Sequence, residues 1–449
     1  MRYAIQQLLR SSNFLSLAGN VSFAFFNAIT FLLMARMLDR SLFGEWIIYV
    51  TAASLLNMLR LGLTGTGAIR SISMTSGSER KAYIGATYQL GVFTFIITCL
   101  LFYPAFFALR QAFATSYYYP VLLFYPLLSL VNLPYNQASV VTQARLEFGK
   151  LLTMRTIHGA SMLVFIAIYM YFYEATLTVL ILLHALSNFL PGLLAILMRW
   201  DGMQWMMMAT RAQKRELLNF GKYSAMISVG SSLLRSADTF ILSMSAVMGA
   251  SAIAMYAIPM KFVEAVEIPL RSFSATAYPK LSQAFKLGNE RFNTLLLSYN
   301  VATTILILPI LLVFILFAEP LLSFVGGVQY QDSIQLQKYI LYIILAYILL
   351  LPADRYTGVA LFALDRPVKN FYKTMIMLVA NVFFDLIAVF VLESLIAVAL
   401  ATLIFTITGV FWGWFFVKKE TQVRFSDTFL EGRQIIRQAL LLLRKKDKT

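Results

Sequence analysis

The sequence predicts an all-α integral membrane protein, with twelve transmembrane helices in two six-helix lobes related by a pseudo-two-fold axis along the membrane normal. Three observations carry that prediction. Hydrophobic residues make up 59% of the 449 residues and charged residues only 13%, against roughly 45–50% and about 25% in soluble domains. Apolar runs of spanning length recur along the whole chain. Basic residues fall almost entirely on alternate connections between those runs.

The composition comes first because it excludes most alternatives. With a mean hydropathy of +0.73, the chain has too little charge to cover a soluble protein of its length, and too much apolar surface to stay disordered. The net charge of +16 would point to nucleic acid in a soluble protein. Here it reads as the cytoplasmic excess that orients a membrane protein, so no nucleic-acid partner is expected.

The spanning runs are 14–36, 43–69, 83–108, 118–141, 151–172 and 175–198. A more polar stretch, 199–217, follows. Six more runs lie at 218–247, 250–278, 294–317, 334–363, 370–391 and 394–417. Each is near the roughly 20 residues that a bilayer requires. They are continuous rather than alternating, so helices are expected and not barrel strands. The domains read as an amino-terminal lobe 1–198, a cytoplasmic linker 199–217, a carboxy-terminal lobe 218–417 and a basic amphipathic tail 418–449. The first run has no small-residue cleavage site after it, so it reads as an uncleaved helix.

Placing both termini in the cytoplasm puts Arg70, Arg80, Lys81, Arg145, Lys150, Arg199, Arg211, Lys280, Arg291 and Arg366 on inside segments, among others. Only Arg36, Arg40 and Arg110 fall outside. A missed or extra helix would scramble that asymmetry. The tail alternates apolar residues with Arg433, Arg437, Arg444, Lys445 and Lys446, the pattern of a helix lying on the anionic inner leaflet.

An internal repeat supports two lobes. Phe31–Met34 through Phe43–Trp46 aligns without a gap on Ile241–Met244 through Ile253–Tyr256, and Arg70 then falls opposite Lys280. Parallel repeats of this kind occur in transporters. No Gly-rich phosphate loop, catalytic triad spacing or zinc-protease motif is present. His158, His184 and Cys99 have no partners at metal-ligand spacing, so no metal site, cofactor or disulfide is expected. Transport would draw on an ion gradient, Na⁺ or H⁺, or on the substrate's own gradient.

Several ionisable residues fall inside the runs: Arg60, Arg235, Asp238, Lys261, Glu264, Glu267, Arg271, Lys338, Asp354, Arg355 and Asp385. A charge at the bilayer centre costs about 2.5–3.5 kcal/mol on insertion scales, so these should face a protein interior or a hydrated cavity. Arg235 with Asp238 and Lys261 with Glu264 are spaced i,i+3, and Glu267 with Arg271 i,i+4. Lys261, Glu264, Glu267 and Arg271 share one helix face. Interhelical salt bridges would explain any one of them, and a hydrated cavity better explains the set. Pro259, Pro269 and Pro279 in the same run predict a kinked helix, whether fixed or hinged.

Two stretches resemble a known family. Leu33-Met34-Ala35-Arg36-Met37-Leu38, Phe43-Gly44, Leu61-Gly62-Leu63 and Arg70 are similar to its first-lobe pattern. Asp238, Tyr256 and Ala277-Tyr278-Pro279-Lys280-Leu281-Ser282 are similar to its second. The family is that of the lipid-linked oligosaccharide flippases of O-antigen and capsule export, within the multidrug/oligosaccharidyl-lipid/polysaccharide (MOP) exporter superfamily. Asp39-Arg40 departs from the family's usual Gly-Pro, and Arg60 stands where an acid is usual.

The resemblance implies a non-enzymatic transporter in the bacterial cytoplasmic membrane that works by alternating access. It would move an undecaprenyl-diphosphate-linked oligosaccharide to the outer leaflet, with a glycan polymerase or ligase as partner. Arg60, Arg235, Lys261, Arg271 and Arg355 would then contact the diphosphate or glycan, because guanidinium forks suit phosphate. Asp238, Glu264, Glu267, Asp354 and Asp385 would tune or couple the site. Two other readings remain open. An ion-coupled drug or metabolite exporter of the same superfamily would need an acidic cavity. A membrane glycan polymerase would need a large outside loop, and no such loop is present.

Overall fold

The computed structural model describes residues 12–113, 116–423 and 427. The basic tail beyond 427 and the first eleven residues therefore lie outside the described residues. Twelve long α-helices follow one another: α1 Ser12–Met37, α2 Arg40–Met74, α3 Gly77–Phe113, α4 Tyr119–Ala144, α5 Phe148–Phe172 and α6 Leu177–Leu197, then α7 Arg211–Ser243, α8 Gly249–Lys286 and α9 Asn289–Leu316. After a short α10, Ala318–Gly326, come α11 Ile334–Ala363, α12 Pro367–Phe390 and α13 Leu395–Thr421. No strand occurs among the described residues.

Nine of these helices are long and apolar enough to cross a membrane among the described residues. The other three are α4, α7 and α8. They are the helices most loaded with polar side chains: Asn132, Asn136 and Gln137 on α4, a charged first stretch on α7, and Lys261 to Arg271 on α8. Large apolar residues such as Leu100, Phe107, Val379 and Phe411 stand more than half exposed. In a multi-pass membrane protein that surface faces lipid.

The chain divides into two compact units between Leu233 and Leu234, within α7. Inside the first unit, α4 is the central helix and packs on α2, α3 and α6. Inside the second, α11 is central and packs on α8, α9 and α13. Those positions correspond one to one under the sequence repeat, so the repeat is reproduced in packing as well as in residues. α1 also packs along α5, α5 on α6, and α12 on α13.

One expected boundary moves, and one expected connection is partly helical. The stretch 199–217 is not one linker. Met203–Met208 forms a 3-10 turn, and α7 begins at Arg211. Gln, Lys, Arg and Glu are good helix formers, so a charged segment continues the membrane helix into water. The 3-10 turn is seated on α3. Gln89 Nε2 donates to the Met206 carbonyl at 2.9 Å, and Gly85 leaves room for the Trp205 backbone that a Cβ would occupy. Asp201 beside it is 1% exposed, and burial pushes its carboxyl above the usual range. The connection before α11 holds α10 and then a 3-10 turn, Val328–Ser333, and α10 buries Leu322. Lys338 at the start of α11 reaches its Glu319 at 3.3 Å.

α8 remains helical through Pro259, Pro269 and Pro279. At α2, Asp39 caps the helix by accepting from the Leu42 amide at 2.9 Å, a favoured N-cap arrangement. That explains how Asp39 can stand where a turn-forming Gly is usual in the resembling family.

Candidate functional site

In the second unit, α7, α8 and α11 bring three arginines to one carboxylate. Glu267 on α8 is 7% exposed. Arg271, one turn further along the same helix, pairs with it, and Arg355 from α11 approaches its other oxygen at 3.7 Å. Arg235, exposed on α7, lies within the electrostatic reach of Glu267, Arg271 and Arg355. Two of these cations pair with the one acid and the third feels its charge, so the three arginines carry more positive charge than Glu267 alone offsets. Half of the Arg271 side chain is open, at 54% exposure, so a ligand can reach it.

The expected pairing of Arg235 with Asp238 does not form. One turn separates them on α7, but Asp238 turns inward and is 5% exposed. Its Oδ2 accepts from Tyr256 Oη at 2.9 Å and from Thr402 Oγ1 at 3.0 Å, and its Oδ1 accepts from Asn381 Nδ2 at 3.2 Å. Asp385, one turn beyond Asn381 on α12, is fully buried and neighbours Asp238. Both Asp385 oxygens and Asn381 Oδ1 lack a hydrogen-bond partner. Two carboxylates in one buried pocket need a cation or a shared proton between them. The orphaned oxygens and the hydroxyl of Thr402 are hard ligands, which suits a small alkali cation or a proton.

The remaining acids are committed elsewhere. Glu264 pairs with Lys261 at 2.8 Å on the exposed side of α8, so those two neutralise each other. Asp354 pairs with Lys373 of α12 at 2.6 Å. The Lys373 ammonium, 3% exposed, also donates to the Asp354 carbonyl at 2.7 Å and to Thr357 Oγ1 at 3.1 Å. Lys373 reads in the sequence as a cytoplasmic flank, because it lies near the start of an apolar run. In the fold it joins Met377, Asn381 and Asp385 on the buried stripe of α12. That i,i+4 spacing is the signal that could have found it. The Lys373→Met variant should leave Asp354 without its cation and destabilise the second unit by about 3 kcal/mol. Thermal unfolding in detergent reads this, and Lys373→Met with Asp354→Leu should recover most of the loss.

Arg60 belongs to the first unit. It is 7% exposed and donates through Nη1 to the Ser129 carbonyl at 2.8 Å and to the Ser129 hydroxyl. Its Nη2 is buried without a hydrogen-bond partner. Tyr125, one turn before Ser129 on α4, donates to Asn57 Oδ1 at 3.4 Å. No ion pair to Arg60 occurs among the described residues. A buried guanidinium with a spare fork and no counter-ion is a strong anion receptor.

Sequence spacing gave no reason to join His158 with His184. The fold brings them together on α5 and α6, with ring centroids 6.3 Å apart. Among the described residues no three His, Cys, Asp or Glu side chains gather as a metal cage would require.

Comparison with known proteins shows the family and the fold. The family model described as "Polysaccharide biosynthesis protein" matches residues 33–335. No curated protein matches the chain. Solved structures share its fold at low identity. An inward-facing multidrug resistance MATE family transporter of the MOP superfamily is 13% identical with a TM-score of 0.72, and the match covers 89% of this chain and 96% of that one. The lipid II flippase MurJ, in an inward closed conformation, is 16% identical with a TM-score of 0.66, over 96% and 92% of the two chains. A MOP superfamily transporter from Pyrococcus furiosus is 14% identical with a TM-score of 0.61, over 92% and 95%. The chain therefore belongs to the polysaccharide biosynthesis protein family and has the fold of the MOP superfamily transporters.

Proposed function

We propose that the protein is a flippase that carries an undecaprenyl-diphosphate-linked oligosaccharide from the cytoplasmic to the outer leaflet by alternating access. The observation that supports this most directly is the excess positive charge of Arg235, Arg271 and Arg355 around Glu267 on membrane helices. Holding uncompensated cations in a membrane is costly, and a diphosphate is the ligand class that repays them with bidentate, charge-assisted bonds. Arg60 offers a second anion contact in the first unit. Lys261 stays with Glu264 and contributes less. The family's link to polysaccharide synthesis and the fold likeness to a lipid II flippase agree with a glycan-bearing lipid.

In this reading the protein transports and does not catalyse. It sits in the bacterial cytoplasmic membrane with both termini inside, as the sidedness of Lys and Arg favours. A glycan polymerase or ligase receives its product. The Asp238–Asp385 pocket couples transport to Na⁺ or H⁺. That same pocket is what favours the second reading, an ion-coupled drug or metabolite exporter, together with the fold likeness to a multidrug transporter.

The test is flipping itself. Purified protein in liposomes should move a short undecaprenyl-diphosphate oligosaccharide between leaflets, followed by its accessibility to an added glycan-modifying enzyme. Protein-dependent exchange is the expected result. Absence of exchange with folded protein, together with efflux of organic cations, would favour the exporter.

A further inference from the structure

We propose that the second unit carries a binding site for a zwitterionic phospholipid headgroup, phosphoethanolamine, in the cavity between α9, α10 and α11 whose polar wall is Glu319, Ser323, Lys338 and Tyr342. This lipid is a resident of the fold and not the transported cargo, so its presence does not depend on the flippase reading.

The cavity arises where the chain interrupts its run of long helices. α9 ends at Leu316, and the short α10 follows before α11 begins at Ile334. The three helices pack on one another and leave a cavity of about 430 Å³, within the range of small-molecule sites. α10 presents Glu319 and Ser323 to it, and α11 presents Lys338 and Tyr342. Each pair is spaced i,i+4 and so shares one face of its helix.

Depth in the membrane points to a lipid. α9 has 28 residues and at 1.5 Å per residue runs about 42 Å, close to the roughly 40–45 Å of a bilayer with its headgroups. Its Leu316 end therefore reaches the headgroup layer opposite its Asn289 end. By the sidedness of Lys and Arg that layer belongs to the outer leaflet. Ile315 and Leu316 line the cavity and are themselves 47% and 66% exposed, so its apolar edge meets the acyl chains.

Charge selects the headgroup. Among the lining residues one cation, Lys338, meets one anion, Glu319, at 3.3 Å. Both side chains stay accessible, and an ion pair this exposed holds weakly, so a ligand can open it. An anionic headgroup is repelled by the Glu319 carboxylate, and a simple cation by the Lys338 ammonium. A headgroup with both charges satisfies both. Its phosphate accepts from Lys338 Nζ, and its ammonium donates to Glu319. The Ser323 hydroxyl accepts from Gln331 Nε2 at 3.4 Å, which leaves its own O–H to donate to the phosphate, as the Tyr342 hydroxyl can. Ethanolamine brings three N–H donors to the carboxylate. Choline brings none and is bound by cages of aromatic rings, and Tyr342 is the single ring among the lining residues.

The test is native mass spectrometry of the delipidated full-length protein with equimolar phosphatidylethanolamine, phosphatidylglycerol and phosphatidylcholine of the same acyl chains. Wild type should retain phosphatidylethanolamine about five- to tenfold over either competitor, the value of one charge-assisted contact. Lys338→Met should lose that preference. Glu319→Gln removes the anion and keeps the cation, so it should reverse the preference in favour of phosphatidylglycerol, which a merely damaged site does not do. Both side chains are accessible, so both variants should fold, and thermal unfolding checks this. Soluble glycerophosphoethanolamine carries the same charges without acyl chains and should compete poorly. Equal retention of the three lipids by wild type, or a preference unchanged in both variants, overturns the site. Competition by the soluble headgroup as strong as by the whole lipid would make the ligand a water-soluble zwitterion and overturn the lipid.

Discussion

Arg235→Ala should slow flipping of the lipid-linked glycan by about 10- to 100-fold, the value of one charge-assisted contact of roughly 1.5–3 kcal/mol. Arg235 is exposed on α7 and holds no carboxylate of its own, so its removal should not unfold the helix. Arg235→Lys keeps the charge and loses the fork, and should fall between wild type and alanine. Glu267→Gln makes the opposite prediction. Glu267 occupies Arg271 and Arg355 in the resting protein. Removing its charge frees both cations, so affinity for the diphosphate should rise. Turnover should then fall, because a tighter complex releases its cargo more slowly. Leaflet exchange in liposomes reads the rate, and calorimetry with undecaprenyl diphosphate reads the affinity. Normal flipping by folded Arg60→Ala and Arg235→Ala proteins would remove the cationic headgroup site from the account.

The membrane fold was legible because its signals are local. Spanning length, continuity of the apolar runs and the sidedness of basic residues each need only a short window of sequence. Helix ends were harder. α7 starts within a segment that hydropathy alone assigns to a linker, because helix propensity in Lys, Arg and Gln continues where hydropathy stops. The i,i+3 and i,i+4 pairs along α8 were readable for the same local reason: Lys261 with Glu264 and Glu267 with Arg271 meet as the helical spacing requires.

What sequence could not show is which helix faces which. Arg235 and Asp238 share a turn, and tertiary packing sends one outward and the other in. Arg355 reaches Glu267, and Lys373 reaches Asp354, only because α11 packs against α8 and touches α12. The resemblance motif fared differently. Asp238 and Tyr256 were singled out as separate marks of one pattern, and the fold joins them by a hydrogen bond. His158 and His184 carried no spacing signal at all, because the contact between α5 and α6 that unites them is invisible in either helix alone.

Asp385→Asn should separate transport from its ion without harming the fold. The wild-type pocket holds Asp238, satisfied by three donors, beside Asp385, whose two oxygens are orphaned. An isolated buried carboxylate is expensive, so an amide of the same shape should leave the melting temperature unchanged or raised. A bound ion adds stability in proportion to occupancy, about 2.7 kcal/mol at one hundred times its dissociation constant. Wild type should therefore melt higher as Na⁺ is raised at fixed pH, or as pH is lowered at fixed Na⁺, and which of the two acts identifies the ion. In Asp385→Asn that shift should vanish, and flipping should no longer accelerate when the matching gradient is imposed across the liposome. Asp238→Asn should lose the same responses and also some stability. An uncharged side chain accepts more weakly from Tyr256 and Thr402, and the amide group faces the Asn381 donor. Retention of the gradient response in both variants would place coupling elsewhere and leave the pocket a structural knot of α7, α8, α12 and α13. Loss of the response in both, with uncoupled exchange still running, is the pattern a coupling site produces, because the proposed headgroup contact at Arg235 lies a helical turn away and is untouched.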